Sequence, residues 1–168
     1  MIPRYRLLQS RILSELDELD RTAAAVQRHW KNRLSAGQDQ DAYINSVALN
    51  LHSFYSGLER MFELIAVEID GGKLSGGDWH VELLRQMTLD LPGIRPAVMS
   101  KPSAEQLDEL RRFRHRVRNI YAATLAPQRM SAVVETLPEL WRDVRQQLEA
   151  FAAYLDEMSR ADEDHADG

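Results

Sequence analysis

Apolar residues recur along most of this chain at alternating spacings of three and four, the period of a helix with one buried face. The first stripe is Tyr5, Leu8, Ile12, Leu16, Leu19, Ala23, Val26 and Trp30. It predicts a helix from Pro3 to about Arg33, with Pro3 at the first helical position and Arg11, Glu15, Glu18 and Arg21 facing solvent. Gly37 is the expected stop. A second stripe, Tyr43, Val47, Leu51, Phe54, Leu58, Phe62, Ile65 and Ile69, predicts a helix from about Asp41 to Ile69. Asn50, His52, Tyr55, Glu59 and Arg60 flank it as polar neighbours. Gly57, inside this helix, costs about 1 kcal/mol against Ala. It therefore marks a close backbone approach, expected from the fourth helix or a second subunit.

The Gly-rich stretch 71–77 lacks the Gly-Lys-Ser/Thr order and the preceding strand of a phosphate-binding loop, and reads as a connector. Asp78 is placed to cap a short helix, Trp79 to Leu89, with Val81, Leu84, Met87 and Thr88 facing inward. Pro92, Gly93 and Pro96 exclude a helix across 91–101, a loop long enough to suggest function. Ser103 with Gln106 forms a capping box for a fourth helix reaching about Thr124. Pro127 opens a fifth segment that Pro138 should divide into 127–135 and 137–159, with Thr136 and Glu139 as a second capping box. Leu140, Val144, Leu148, Phe151 and Leu155 supply its buried face. The acidic residues 160–168 read as a disordered tail. No strand pattern is present. The expectation is an all-α fold: an antiparallel bundle of four main helices plus short extra helices, one domain over 1–159.

Composition narrows the function. The chain has 168 residues, 44% hydrophobic and 28% charged, with net charge −5 and no cysteine. Disulfides, thiolate zinc sites and Cys nucleophiles are excluded. No apolar run approaches the ~18 residues that span a bilayer, and no signal-peptide pattern precedes the first helix. A cytoplasmic protein with no membrane association is expected. His29, His52, His80, His115 and His165 form no metal-ligand pattern, so neither a metal nor a cofactor is expected.

One stretch departs from the overall acidity. Arg111 to Tyr121 holds five Arg in eleven residues. On the helical period, Leu107, Leu110, Arg114, Val117 and Tyr121 define a buried seam, which places Arg114 and Tyr121 where a bundle usually has Leu or Ile. An unpaired buried guanidinium is costly. Either a carboxylate meets Arg114, or the seam lines a wet cleft for an anionic ligand. A solvated, salt-bridged face accounts for Arg111, Arg112 and Arg118. It accounts less well for Arg114, or for His115 and Asn119 one turn apart. A basic, partly buried polar cluster suits a phosphate ligand, and Arg is the residue for that task.

Three blocks resemble the HepT-like proteins of the HEPN superfamily. Asn50-Leu51-His52-Ser53-Phe54-Tyr55-Ser56-Gly57-Leu58-Glu59-Arg60-Met61-Phe62 is similar to their second helix. Leu91-Pro92-Gly93-Ile94-Arg95-Pro96-Ala97-Val98 is similar to their loop. Arg114-His115-Arg116-Val117-Arg118-Asn119-Ile120-Tyr121 follows their signature of Arg, a polar residue, three residues, His, one residue and Tyr. The resemblance spans about Asp41 to Met130. It implies a helical homodimer whose two fourth helices line a cleft, and metal-independent endoribonuclease activity on RNA, usually as a toxin. It also implies an MntA-like nucleotidyltransferase antitoxin that silences the toxin by adding AMP to the motif Tyr. Carried onto this chain, Arg114 is the catalytic Arg and Tyr121 the modified residue; Arg111 and Arg118, from the basic stretch itself, are the candidates to bind RNA.

The chain departs from the signature at Asn119, where the family has His. Cleavage needs a group to take the 2′-OH proton. Imidazole can do so near neutral pH and an amide cannot. General base catalysis is worth about 10²–10⁴-fold, so Asn119 leaves activity dependent on a substitute, for which His115, one turn earlier, is the candidate. Two rival readings stand beside the toxin. One is a catalytically impaired module that binds RNA or nucleotide and regulates a nucleotidyltransferase. The other is a structural helical adaptor, favoured if Arg114 is paired inside one subunit.

Overall fold

The predicted stripes fold into five helices, as seen in a computed structural model that describes the backbone of residues 4–119 and 127–168, and all their side chains except those of Arg118 and Asn119. They are α1 (Arg4–Asn32), α2 (Gln40–Ile65), α3 (Trp79–Met87), α4 (Lys101–Asn119) and α5 (Pro127–Ala166). No strand forms among the described residues; Leu91 and Arg95 make an isolated antiparallel bridge. The fold is all-α. No helix among the described residues is long and apolar enough to cross a membrane.

The α1 stripe is buried from Leu8 to Val26, with Tyr5 and Trp30 partly covered at its ends. α1 lies antiparallel to α5: Arg6 pairs with Glu163, Asp20 with Trp141 and Arg145, and Gln27 with Val134. It is also antiparallel to α2, where Glu15 meets Arg60 and His29 meets Ser46. α2 is the central helix, packed against α1, α3 and α4. That position explains why Tyr55 and Glu59, expected at its polar margin, are buried instead. Gly57 answers to α1, not to α4 or a second subunit. A Cβ there would sit 2.7 Å from Glu15 Oε1 and 3.0 Å from Leu19 Cδ2. α2 ends in a π-turn over Ala66–Asp70, stopped by Gly71 in the left-handed region at φ 100°.

Several expected caps are replaced. Asp78 precedes α3, but its side chain makes no capping bond; its backbone carbonyl accepts from Val81 and Glu82. α3 ends two residues early, and Leu83 joins Leu84 and Met87 in its buried face while Val81 stays half-buried. α4 begins at Lys101, and Ser100, not Ser103, caps it: Ser100 Oγ accepts from the Ser103 backbone N–H at 3.2 Å. Ser103 has turned inward, where its hydroxyl meets Gln147 of α5. The expected end of this helix near Thr124 falls outside the described residues.

Pro138 does not divide the fifth segment. α5 is one helix of 40 residues with Pro138 inside. Proline removes the N–H that would have bonded the Val134 carbonyl four residues earlier. Gln27 Nε2 of α1 donates to that carbonyl at 2.8 Å and satisfies it from outside the helix. Thr136, expected as a cap, donates its hydroxyl back to the Ala132 and Val133 carbonyls. The acidic stretch expected as a tail continues the helix to Ala166, where Glu163 pairs with Arg6 and Asp156 with Arg160.

The α1–α5 seam carries a pH-sensitive contact. Burial alone would raise the Asp20 carboxyl, but hydrogen bonds from Trp141 Nε1 and Arg145 outweigh it and hold it below its ordinary 3.8. A carboxyl lowered in the folded state contributes stability above its unfolded pKa and loses it as pH falls through the folded value. Asp20→Asn should therefore lower stability at neutral pH and flatten its decline below about pH 4. Urea unfolding at pH 3 and pH 7 checks this; equal losses at both pH values would contradict it.

Candidate functional site

Arg114 is carried inward by α4 on the seam that begins with Leu107 and Leu110, both buried. It is 6% exposed. Glu59, 7% exposed, meets it from α2. Arg114 NH1 donates to Glu59 Oε1 at 3.0 Å and NH2 to Glu59 Oε2 at 3.0 Å, a two-pronged pair. NH1 also donates to Ser56 Oγ at 3.2 Å, and the guanidinium carbon lies 4.6 Å from the centre of the Tyr55 ring. The Tyr55 hydroxyl is pushed above its usual range, first by burial and then by the Glu59 charge.

A third group completes the cluster. His80, in the first turn of α3, places Nδ1 2.7 Å from Glu59 Oε2. Two acceptors would repel at that distance, so Nδ1 carries the proton and donates to the carboxylate. Arg114 NH2, 3.4 Å from the same nitrogen, reaches the same oxygen. The imidazole lies against the Trp79 indole, with ring centres 3.6 Å apart and planes 30° from parallel. Its side chain is 29% exposed, the most open of the three.

This geometry resolves the alternative left by the sequence. A carboxylate does meet Arg114, and it belongs to the same chain. Glu59 thus neutralises Arg114 within one chain. The other basic residues are also partly matched. Arg111 is half-buried and donates to Asp108 at 2.6 Å, and Arg112 pairs with Asp108 and Glu109. His115 is exposed, one residue and so about 100° around the helix from Arg114. Arg111 lies close enough for its charge to act on the Tyr55 hydroxyl, beside those of Glu59 and Arg114. Tyr121 and the side chains of Arg118 and Asn119 lie outside the described residues.

Sequence reasoning passed over Glu59 and His80. Glu59 read as a flank of α2 and His80 as a lone histidine. The only signal was indirect: a cation at a core position requires a carboxylate somewhere, and Glu59 lies 55 residues upstream. A second buried pair, Arg95 with Asp70, was also missed. The loop that suggested function is held by it. Arg95 Nε and NH2 donate to the two Asp70 oxygens at 2.5 and 2.6 Å. Val98 and Met99 N–H groups bond the Met87 carbonyl, and both side chains are buried.

Fold and site together define an all-α bundle with a buried Arg–Glu pair and a histidine at its open edge. Residues 46–155 match the family described as HepT-like protein. The match covers well over half of the chain, and the protein belongs to that family. No curated protein and no solved structure matches the chain.

Proposed function

We propose that this HepT-like protein is a metal-independent endoribonuclease toxin, cutting RNA at a cleft between two copies of α4. A nucleotidyltransferase antitoxin silences it by adding AMP to Tyr121. The observation that carries this reading is Arg114, the residue matching the family's motif Arg, locked by Glu59 beside His80. RNA cleavage through the 2′-oxygen needs positive charge near the pentacoordinate phosphorus and a group that moves a proton. A guanidinium gripped at both terminal nitrogens cannot swing. A fixed charge beside the reacting phosphate needs no reorganisation as negative charge develops there. Arg118 extends the RNA path along α4, and Arg111 joins it if RNA phosphate displaces Asp108.

The test is cleavage of single-stranded RNA in EDTA, with product ends identified by mass spectrometry. Cleavage to 2′,3′-cyclic phosphate supports the reading. RNA left intact by both the folded parent and folded Asn119→His removes it.

A second reading is favoured by a specific observation. Among the described residues, Glu59 and Ser56 together take three of the Arg114 N–H donors, and Asn119 lacks a titrating group. That combination fits a HepT-like module that binds RNA or nucleotide and regulates its nucleotidyltransferase without cutting. Salt-sensitive RNA binding with no cleavage would select it. The same Arg114–Glu59 pair is what a purely structural adaptor would display; absence of RNA binding would select that.

The regulatory half has its own expected result. Co-expression with an MntA-like nucleotidyltransferase should place AMP on Tyr121 and abolish cleavage, since added phosphate would meet Arg charge and obstruct RNA. Intact-mass and peptide mass spectrometry check it. AMP on another residue, or none, contradicts it. Light scattering should give a twofold dimer at micromolar concentration; a monomer would count against a cleft shared by two α4 copies.

A further inference from the structure

We infer that His80 is the general base of this site and stands in for the imidazole that Asn119 lacks; the inference rests on the ribonuclease reading above. The geometry is that of an oriented base. Glu59 accepts the Nδ1 proton at 2.7 Å, which fixes the tautomer and leaves Nε2 as the nitrogen with a lone pair. The Trp79 indole lies against one face of the ring and holds its plane. Glu59 is itself clamped by Arg114, so the orienting carboxylate cannot turn away. Among the described residues, the charged groups meeting this imidazole are Glu59 from α2 and Arg114 from α4. Of the three, His80 is the most exposed, and so it is the member of the cluster that a substrate would meet first.

The substrate class is single-stranded RNA. Nε2 takes the proton from a ribose 2′-OH. The 2′-oxygen forms a bond to the adjacent phosphorus, and the bond from phosphorus to the 5′-oxygen breaks. That oxygen leaves with a proton from solvent water, and His80 returns its own proton to solvent. The products are a 2′,3′-cyclic phosphate and a 5′-hydroxyl, with no oxidant, reductant or co-substrate consumed.

The experiment uses the full chain with a fluorescent RNA oligonucleotide, comparing the parent, His80→Gln, His80→Ala and Asn119→His. Gln at position 80 can still donate to Glu59 but cannot take a proton, so it separates folding from chemistry. The expected result is cleavage by the parent and a loss of about 10²–10⁴-fold in His80→Gln with unchanged circular dichroism. The parent's rate should rise with pH along an acidic limb that His80→Gln lacks. Added imidazole should partly restore His80→Ala. A His80→Gln protein that keeps the parent's rate and pH profile overturns the assignment and leaves the ribonuclease reading intact. Cleavage by Asn119→His with none by the parent does the same. No cleavage by any folded variant removes the ribonuclease reading and this inference with it.

Discussion

Glu59→Ala should cost about 3–5 kcal/mol of stability, because it leaves a buried guanidinium without its carboxylate. Arg114 would keep one bond to Ser56 and the face of Tyr55. Neither carries charge, and at 6% exposure water cannot replace what is lost. For a domain of this size each kcal/mol moves the thermal midpoint by about 2–4 °C, so a fall of roughly 6–20 °C is expected. The loss would measure the unpaired charge more than the worth of the pair. Replacing both partners with apolar residues, Glu59→Leu with Arg114→Met, should recover most of it, since a buried ion pair often does no better than a well-packed apolar substitute. Thermal melts of the two single variants and the double variant check this. A Glu59→Ala protein within about 1 kcal/mol of the parent would mean that Arg114 is not held as described.

Arg95→Ala should be of similar size, for a different reason. All five N–H groups of Arg95 are used: two on Asp70, one each on the Leu89, Pro96 and Gln86 carbonyls. The residue is 3% exposed. Removing it strands the Asp70 carboxylate, whose remaining partner is the Gln86 amide, and unpins three carbonyls at about 1–3 kcal/mol each where they stay dry. The loss should be about 3–5 kcal/mol or more. It should be accompanied by faster hydrogen exchange at Leu91, Ile94 and Arg95, whose N–H groups close the loop. Cleavage per folded molecule should be little changed, because none of the hydrogen bonds of this pair goes to Arg114, Glu59 or His80. Loss of activity with stability preserved would contradict this and return the loop to a functional role.

These two pairs also mark how far the sequence could be read. The helices were legible because apolar stripes repeat locally: Leu8 to Val26 and Leu140 to Leu155 are buried as their spacing requires. Pro138 misled because the outcome depends on Gln27, which lies 107 positions before Val134 and supplies the missing bond. Ser103 misled because Ser100, three residues earlier, took its role and freed it to face Gln147. Arg114 was legible as an anomaly, since a cation on an apolar seam needs a partner. The partner's identity was not, because Glu59 and His80 stand on separate helices and neither departs from its local pattern. Family membership was legible from the blocks around Asn50–Phe62 and Arg114–Tyr121, and it lies within the matched residues 46–155.

The central claim is that Arg114, Glu59 and His80 form a site for cutting RNA, and one measurement tests it most directly. Purified, folded protein made without its nucleotidyltransferase is incubated with single-stranded RNA in EDTA, and the product ends are read by mass spectrometry. The account predicts fragments ending in 2′,3′-cyclic phosphate, formed by the parent and strongly reduced in His80→Gln. Intact RNA after incubation with the folded parent would contradict it.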